Sequence, residues 1–189
     1  MTNRQKKSAE FCLEGVIDLS SFKANPISRD DIRGIVRFLK QQMGLENVLY
    51  FPILQFAENV LPMFIPDYQF EVVPVEEMGA KHGETYPSKK LIRIREDIYM
   101  RAARGEGRDR LTVAHEIGHL FLHKEDSIAL CRLSPDQKLK PYEDPEWQAD
   151  AFGGELLASS YLIQNMTTYE VQTKCGVSNA AARNQIRNL

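Results

Sequence analysis

Leu111-Thr112-Val113-Ala114-His115-Glu116-Ile117-Gly118-His119-Leu120-Phe121-Leu122-His123 carries an H-E-x-x-H pattern. On an α-helix, residues i and i+4 share one face, one turn apart. His115 and His119 would therefore present two imidazoles to one point from the same side. Glu116 lies beside that point. The spacing is that of two Zn²⁺ ligands and a carboxylate able to take a proton from the metal's water. Val113, Ile117, Leu120, Phe121 and Leu122 make the flanks apolar, which puts the three polar groups in a largely buried helix. Buried polar groups need partners, and a metal supplies one. The competing reading is a pair of core histidines with ordinary hydrogen bonds.

A catalytic zinc usually has three protein ligands and one open position. The third is sought downstream, in Asp144-Pro145-Glu146-Trp147-Gln148-Ala149-Asp150-Ala151-Phe152-Gly153-Gly154-Glu155-Leu156-Leu157. Asp144 followed by Pro145 reads as an N-cap and first helical residue. The helix then runs to about Ala158, with Glu146, Ala149, Asp150, Gly153 and Leu157 on one face. Glycine inside a helix costs about 1 kcal/mol relative to alanine, so Gly153 and Gly154 need a reason. Close approach to the H-E-x-x-H helix is the expected one. Glu146 then reaches the metal as third ligand. Asp150, one turn on, accepts the N–H of a ligating histidine.

These two segments resemble the ImmA/IrrE family of metallo-endopeptidases, zinc peptidases of the gluzincin style. The run from Arg108 to His123 is similar to the family's signature, and Glu146-x-x-Ala149-Asp150-x-Phe152-x-x-x-Leu156-Leu157 to its second motif. The likeness extends from about Ile92 to Leu157 and is faint at both ends. It implies His115, His119 and Glu146 as ligands of one Zn²⁺ per chain, Glu116 as general base and Asp150 as a supporting residue. Alanine is frequent in the family where Gly153 and Gly154 stand, and Met-Pro where Ala158-Ser159 stand. These departures touch packing and helix termination. The resemblance also implies a zinc endopeptidase with a narrow substrate range, since members commonly act on helix-turn-helix transcriptional repressors.

With 189 residues and 43% hydrophobic content, the chain can bury one good core. Its net charge of −2 gives no electrostatic reason for strong nucleic-acid or membrane binding. No apolar run approaches the roughly 20 residues that span a bilayer. Residues 1–10 are polar and lack the apolar segment of a signal peptide. Cys12, Cys131 and Cys175 are widely spaced and odd in number, which fits reduced thiols in a cytoplasm. Cys131 lies between the two zinc-site helices, where an ordinary loop thiol is a better reading than a metal cap.

The expected fold class is α+β: a mostly helical zincin-like domain with a small, mainly antiparallel β-sheet beside the H-E-x-x-H helix. Residues 1–25 read as an N-terminal arm with a short element near Phe11 to Phe22, 26–165 as the metallopeptidase domain, and 166–189 as a helical extension. Ser28-Arg29-Asp30-Asp31 resembles a capping box opening a helix to about Met43, with Ile32, Ile35, Val36 and Leu39 on one face. A second helix is expected from Ile53 to about Val60, punctuated by Pro52, Pro62 and Pro66. Tyr68–Val75 reads as a strand, Met78–Pro87 as a turn or hairpin, and Leu91-Ile92-Arg93-Ile94 as a half-exposed strand. A strand edge can bind an extended peptide by β-augmentation. Leu91–Arg95, or the hairpin before it, is thus the candidate substrate shelf; a plain sheet edge is the alternative. Ile98–Ala103 reads as a short helix, broken at Gly105-Glu106-Gly107, and Lys124–Glu143 as a long polar connection.

From Val171 to Arg187 the chain has a helix-turn-helix look, with Gly176 at the turn and Ser178 as cap. Only Arg183 and Arg187 stand as nucleic-acid candidates, so packing against the domain or a partner is expected over DNA contact. His123 completes an i, i+4, i+8 series, but i and i+8 lie ~12 Å apart along a helix, so it reads as a structural or rim histidine. His82 and Tyr142 are candidate donors to the oxyanion. Three function classes stand: a zinc endopeptidase acting on a protein, a zinc-stabilised protein that binds a repressor without cutting it, and a DNA-binding regulator. The intact Glu116 favours the first, because a structural zinc has no use for a base. The sequence leaves oligomeric state open.

Overall fold

In the computed structural model, which describes residues 22–123, 128–132 and 139–189, Ser28 opens the first long helix. Its hydroxyl accepts from the Asp31 amide at 3.1 Å, and Asp31 Oδ2 accepts from the Ser28 amide at 3.2 Å. This reciprocal pair satisfies two amides that helix geometry would otherwise orphan. Phe22–Ala24 (β1) precedes it, and α1 spans Arg29–Gln42. Ile32 and Val36 are buried, with Ile35 and Leu39 packed against the same core. The remainder of the expected N-terminal arm lies outside the described residues, as do the side chains of Cys12 and Cys131.

The second helix does not stop at Val60. α2 (Ile53–Gln55) passes through a π turn, Phe56–Val60, into α3 (Leu61–Phe64). The π turn resets the hydrogen-bond ladder. Pro62 then falls in the first turn of α3, where its missing N–H breaks nothing.

Three strands form the sheet beside the site: β2 (Gln69–Val73), β3 (Gly83–Tyr86) and β4 (Leu91–Arg95), with α4 (Val75–Met78) between the first two. Their order is β2-β4-β3. β3 and β4 make an antiparallel hairpin, with Gly83 opposite Ile94 and Thr85 opposite Ile92. β4 runs parallel to β2. The α+β class expected holds, with a sheet that is mixed rather than purely antiparallel. The reason is the connection: α4 carries the chain past the gap that β4 later fills. One expectation changes with it. Leu91, Ile92, Arg93 and Ile94 lie in the central strand, paired on both sides, and offer no free edge. β2 and β3 each have only β4 as a neighbour among the described residues, and of these two edges the one beside α6 is that of β3, the hairpin's first strand. Ile92 and Ile94 point into the core, whereas Arg93 meets Glu71, Glu77 and Glu84 on the other face.

α5 (Glu96–Ala103) ends at Gly105, whose φ of +91° suits only glycine comfortably. α6 (Gly107–Leu122) carries the H-E-x-x-H residues. The polar connection after it contains a short strand, β5 (Ile128–Arg132), antiparallel to β1. α7 (Pro145–Leu157) follows, with Asp144 Oδ1 accepting from the Glu146 amide at 2.9 Å, as an N-cap should.

α6 and α7 cross at glycines. A Cβ on Gly118 would lie 3.0 Å from Ala149 Cα, and one on Gly153 would lie 3.1 Å from the His115 amide nitrogen. Gly153 thus serves the approach expected of it. Gly154 does not: it faces Gln185 of the last helix, 2.8 Å from where its Cβ would be.

α8 (Ser160–Ile163) leads to α9 (Thr168–Cys175) and α10 (Asn179–Arg187). Gly176 turns between the last two at φ +64°, and Ser178 caps α10. Val171, Cys175, Val177 and Ala182 join the core. Arg110 of α6 is buried and donates to the carbonyls of Phe51 and Gly176, at 2.9 Å each, while stacking on Tyr50.

Gly107 seats the turn between α9 and α10: an added Cβ would lie 2.3 Å from the Val177 carbonyl carbon and 2.4 Å from the Ser178 nitrogen. Backbone cannot swing aside as a side chain does, so Gly107→Ala forces the whole turn to move. Overpacking of this kind costs about 1–3 kcal/mol. A lowered melting temperature is expected in a thermal melt, and an unchanged one would show that the seat yields freely.

Candidate metal centre

The helical spacing of His115 and His119 brings their Nε2 atoms to 2.9 Å of each other. The N-cap at Asp144 starts α7 in the register that turns Glu146 toward them. Its carboxylate oxygens lie 3.3 Å from His115 Nε2 and 3.5 Å from His119 Nε2. One ligand atom from each of the three residues falls within 4.8 Å of the others. Two ring nitrogens and a carboxylate set this close need a proton or a cation between them. A proton on His115 meets part of that need. Burial opposes the charged ring, but hydrogen bonds to Asp150 and Glu146 and the charge of Glu116 carry its pKa up to about 10. The same hydrogen bonds, from His115 and His119, hold the Glu146 carboxyl well below the usual carboxylate range. A divalent cation accepting one pair from each group fits this donor set better than a single proton. Two imidazoles, one carboxylate and an open side is also the composition of a catalytic site, not a closed structural one.

The surrounding groups orient these three. Asp150 Oδ1 accepts from His115 Nδ1 at 2.8 Å. His119 Nδ1 lies 2.9 Å from His123 Nδ1. His123 is fully buried, so it is a structural residue and not a rim one, and burial pulls its pKa down to about 4.

Glu116 stands apart from the donor set. Thr85 Oγ1 of β3 donates to Glu116 Oε2 at 2.6 Å. Burial pushes the Glu116 carboxyl up, opposed in part by the charges of His115 and His119 and by the Thr85 hydroxyl. A raised carboxyl pKa suits a group that must take up and release a proton near neutrality. A cleft of about 400 Å³ opens over it, with His82, Gly83, Arg108, His115, Glu116 and Asp150 in its wall. His82 is thus at the cleft. Tyr142 is not among its lining and borders a different groove with Pro26, Ile27 and Trp147. Leu91, Ile92, Arg93 and Ile94 are also not among the cleft's lining.

Gly83 and Thr85 were not legible as site residues. Alternation along a strand puts both on one face, but nothing local says that this face meets Glu116. A Cβ on Gly83 would lie 2.8 Å from Glu116 Cγ and from Oε1. The clash is with a movable side chain, so Gly83→Ala should fold normally and displace Glu116. The expected result is a melting temperature near wild type, retained metal and a lower kcat. Wild-type kcat in that variant would show that Glu116 tolerates the shift.

An H-E-x-x-H helix crossed by a glutamate-bearing helix, with a small sheet alongside, defines a metallopeptidase-type site. Residues 72–186 match the Peptidase_M78 family, described as the IrrE N-terminal-like domain. That match covers more than half of the chain, and the protein belongs to this family of metallopeptidases. The resemblance carried by Arg108–His123 and Glu146–Leu157 is confirmed by it. A search of curated proteins found no match. Among the described residues, no helix is long and apolar enough to cross a membrane.

Proposed function

We propose that the protein is a zinc-dependent endopeptidase that cuts a specific protein substrate. The observation that carries this reading is Glu116. It sits in the cleft beside the His115–His119–Glu146 donor set, is held there by Thr85, and is not itself needed to complete the set. A site that only stabilised the fold would have no use for such a carboxylate.

His115, His119 and Glu146 hold the metal in this reading. Zinc, when bound, supplies an electrophile for the scissile carbonyl and makes the attacking water more acidic. Glu116 accepts that water's proton and returns it to the leaving amine. Asp150 keeps the His115 ring turned toward the site. The free edge of β3 is the shelf on which an extended peptide pairs, which moves the substrate shelf from Leu91–Ile94 to the other strand of the same hairpin. His82, in the cleft wall, is placed to donate to the carbonyl oxygen as charge develops there.

A helix-turn-helix transcriptional repressor in the cytoplasm is the substrate we infer, supported by the ImmA/IrrE resemblance. The test is incubation of the zinc-loaded protein with the repressor encoded beside it, followed by mass spectrometry of new termini. Cleavage abolished by a chelator is the expected result. Tight binding of an intact repressor under every condition would replace the peptidase reading with that of a zinc-stabilised binding protein.

A further inference from the structure

We propose that His123 and Gln148 are positioning residues: they hold His119 in the tautomer that leaves Nε2 free for metal, and they tether that ligand to the backbone at Asn25 and Tyr142. This rests on the metal-site reading above.

Gln148 Nε2 is 2.9 Å from the carbonyl oxygen of Asn25 and 2.9 Å from that of Tyr142. Carbonyl oxygens only accept, so the nitrogen of the amide must be on that side. Flipping the amide would set its oxygen against two others. Gln148 Oε1 therefore faces His123 Nε2, at 2.9 Å, and accepts from it. A neutral imidazole has one N–H. With the proton on Nε2, His123 Nδ1 carries a lone pair. His119 Nδ1, 2.9 Å away, must then be the donor. His119 Nε2 is left as an acceptor, on the side where His115 and Glu146 converge.

With His123 neutral, no other assignment satisfies the chain. A proton on His123 Nδ1 would leave two acceptors facing each other at Gln148 and could drive the His119 proton onto Nε2, where it would block the metal. Water does not relieve the choice, because His119, His123 and Gln148 are respectively 5%, 0% and 1% exposed. The two ring ligands are thus supported differently. His115 leans on an exposed anion, Asp150, while His119 leans on a buried neutral relay. The relay ends in a junction of three segments, since the Tyr142 carbonyl also accepts from the Ile27 amide at 2.9 Å. Displacement of either the β1–α1 connection or the turn before α7 would be felt at His119.

The test uses the full chain and two readouts. Long-range ¹H–¹⁵N NMR of the metal-free wild type should show His119 protonated on Nδ1. Zinc affinity, read by competition with a chromophoric chelator, should fall about 10–100-fold in His123→Phe, the usual size for loss of a ligand's supporting hydrogen bond. His123→Asn should recover most of it, because its Oδ1 can take the place of Nδ1 as acceptor. A bare His119 Nδ1 in the wild type overturns the proposal, and so do equal affinities for wild type and His123→Phe. Absence of zinc binding by the wild type would instead sink the proposed function, and the tautomer measurement, made without metal, would still decide the role of His123.

Discussion

Glu116→Gln should leave the fold and the metal in place and lower kcat/KM by about 10²–10⁴-fold, the range contributed by a positioned general base. The swap is nearly isosteric. The amide oxygen can still accept the Thr85 hydroxyl, which lies 2.6 Å from the present carboxylate, so the side chain has no reason to move. His115, His119 and Glu146 are untouched, and so is the metal content. An amide cannot accept the water's proton and cannot return it. Binding should survive, because the β3 edge and the cleft are unchanged, and a trapped uncut complex should be recoverable with its substrate. Elemental analysis, steady-state kinetics and pull-down check the three parts separately. A repressor relieved equally well in cells by wild type and by Glu116→Gln would overturn the peptidase reading.

The second large effect separates Glu146 from Asp150. Both are carboxylates on one face of α7, one turn apart, and both touch His115. Only Glu146 also reaches His119 Nε2. Glu146→Ala removes one of three converging donors and should abolish stoichiometric zinc. Asp150→Ala removes only the acceptor behind His115 Nδ1 and should leave a site weakened about 10–100-fold. Zinc content after dialysis against a weak chelator would distinguish them. Equal retention in the two variants would mean that Glu146 is not a ligand and that the convergence of its oxygens on the histidines has another cause.

Much of this centre is legible in the sequence because its information is local. His115 and His119 share a face through the 3.6-residue period alone. The capping box at Ser28 and Asp31 and the Asp144–Pro145 start of α7 are settled within four residues, by amides that have no other acceptor. Gly153 and Gly154 announced a close approach to α6, and Gly153 makes it. Gly154 shows the limit of the same reasoning, since small size says that something is near and not what.

What the tertiary structure alone decided are the relations between segments far apart in the chain. The alternation in Leu91–Ile94 was correctly a strand, but its place between β2 and β3 depends on backbone pairing with Gln69–Val73, which no side-chain pattern records. The π turn at Phe56–Val60 arises where a helix must accommodate Pro62 and keep Phe56, Ala57 and Leu61 in the core. Thr85 meets Glu116 and Gln148 meets His123 because packing brought a strand and a second helix against α6. Helix periodicity and capping follow from the geometry of a few consecutive peptides, so sequence alone could assemble His115, His119 and Glu146 into one candidate donor set. Strand order, the Thr85–Glu116 hydrogen bond and the His119–His123–Gln148 chain depend on contacts that exist only once the chain has closed on itself.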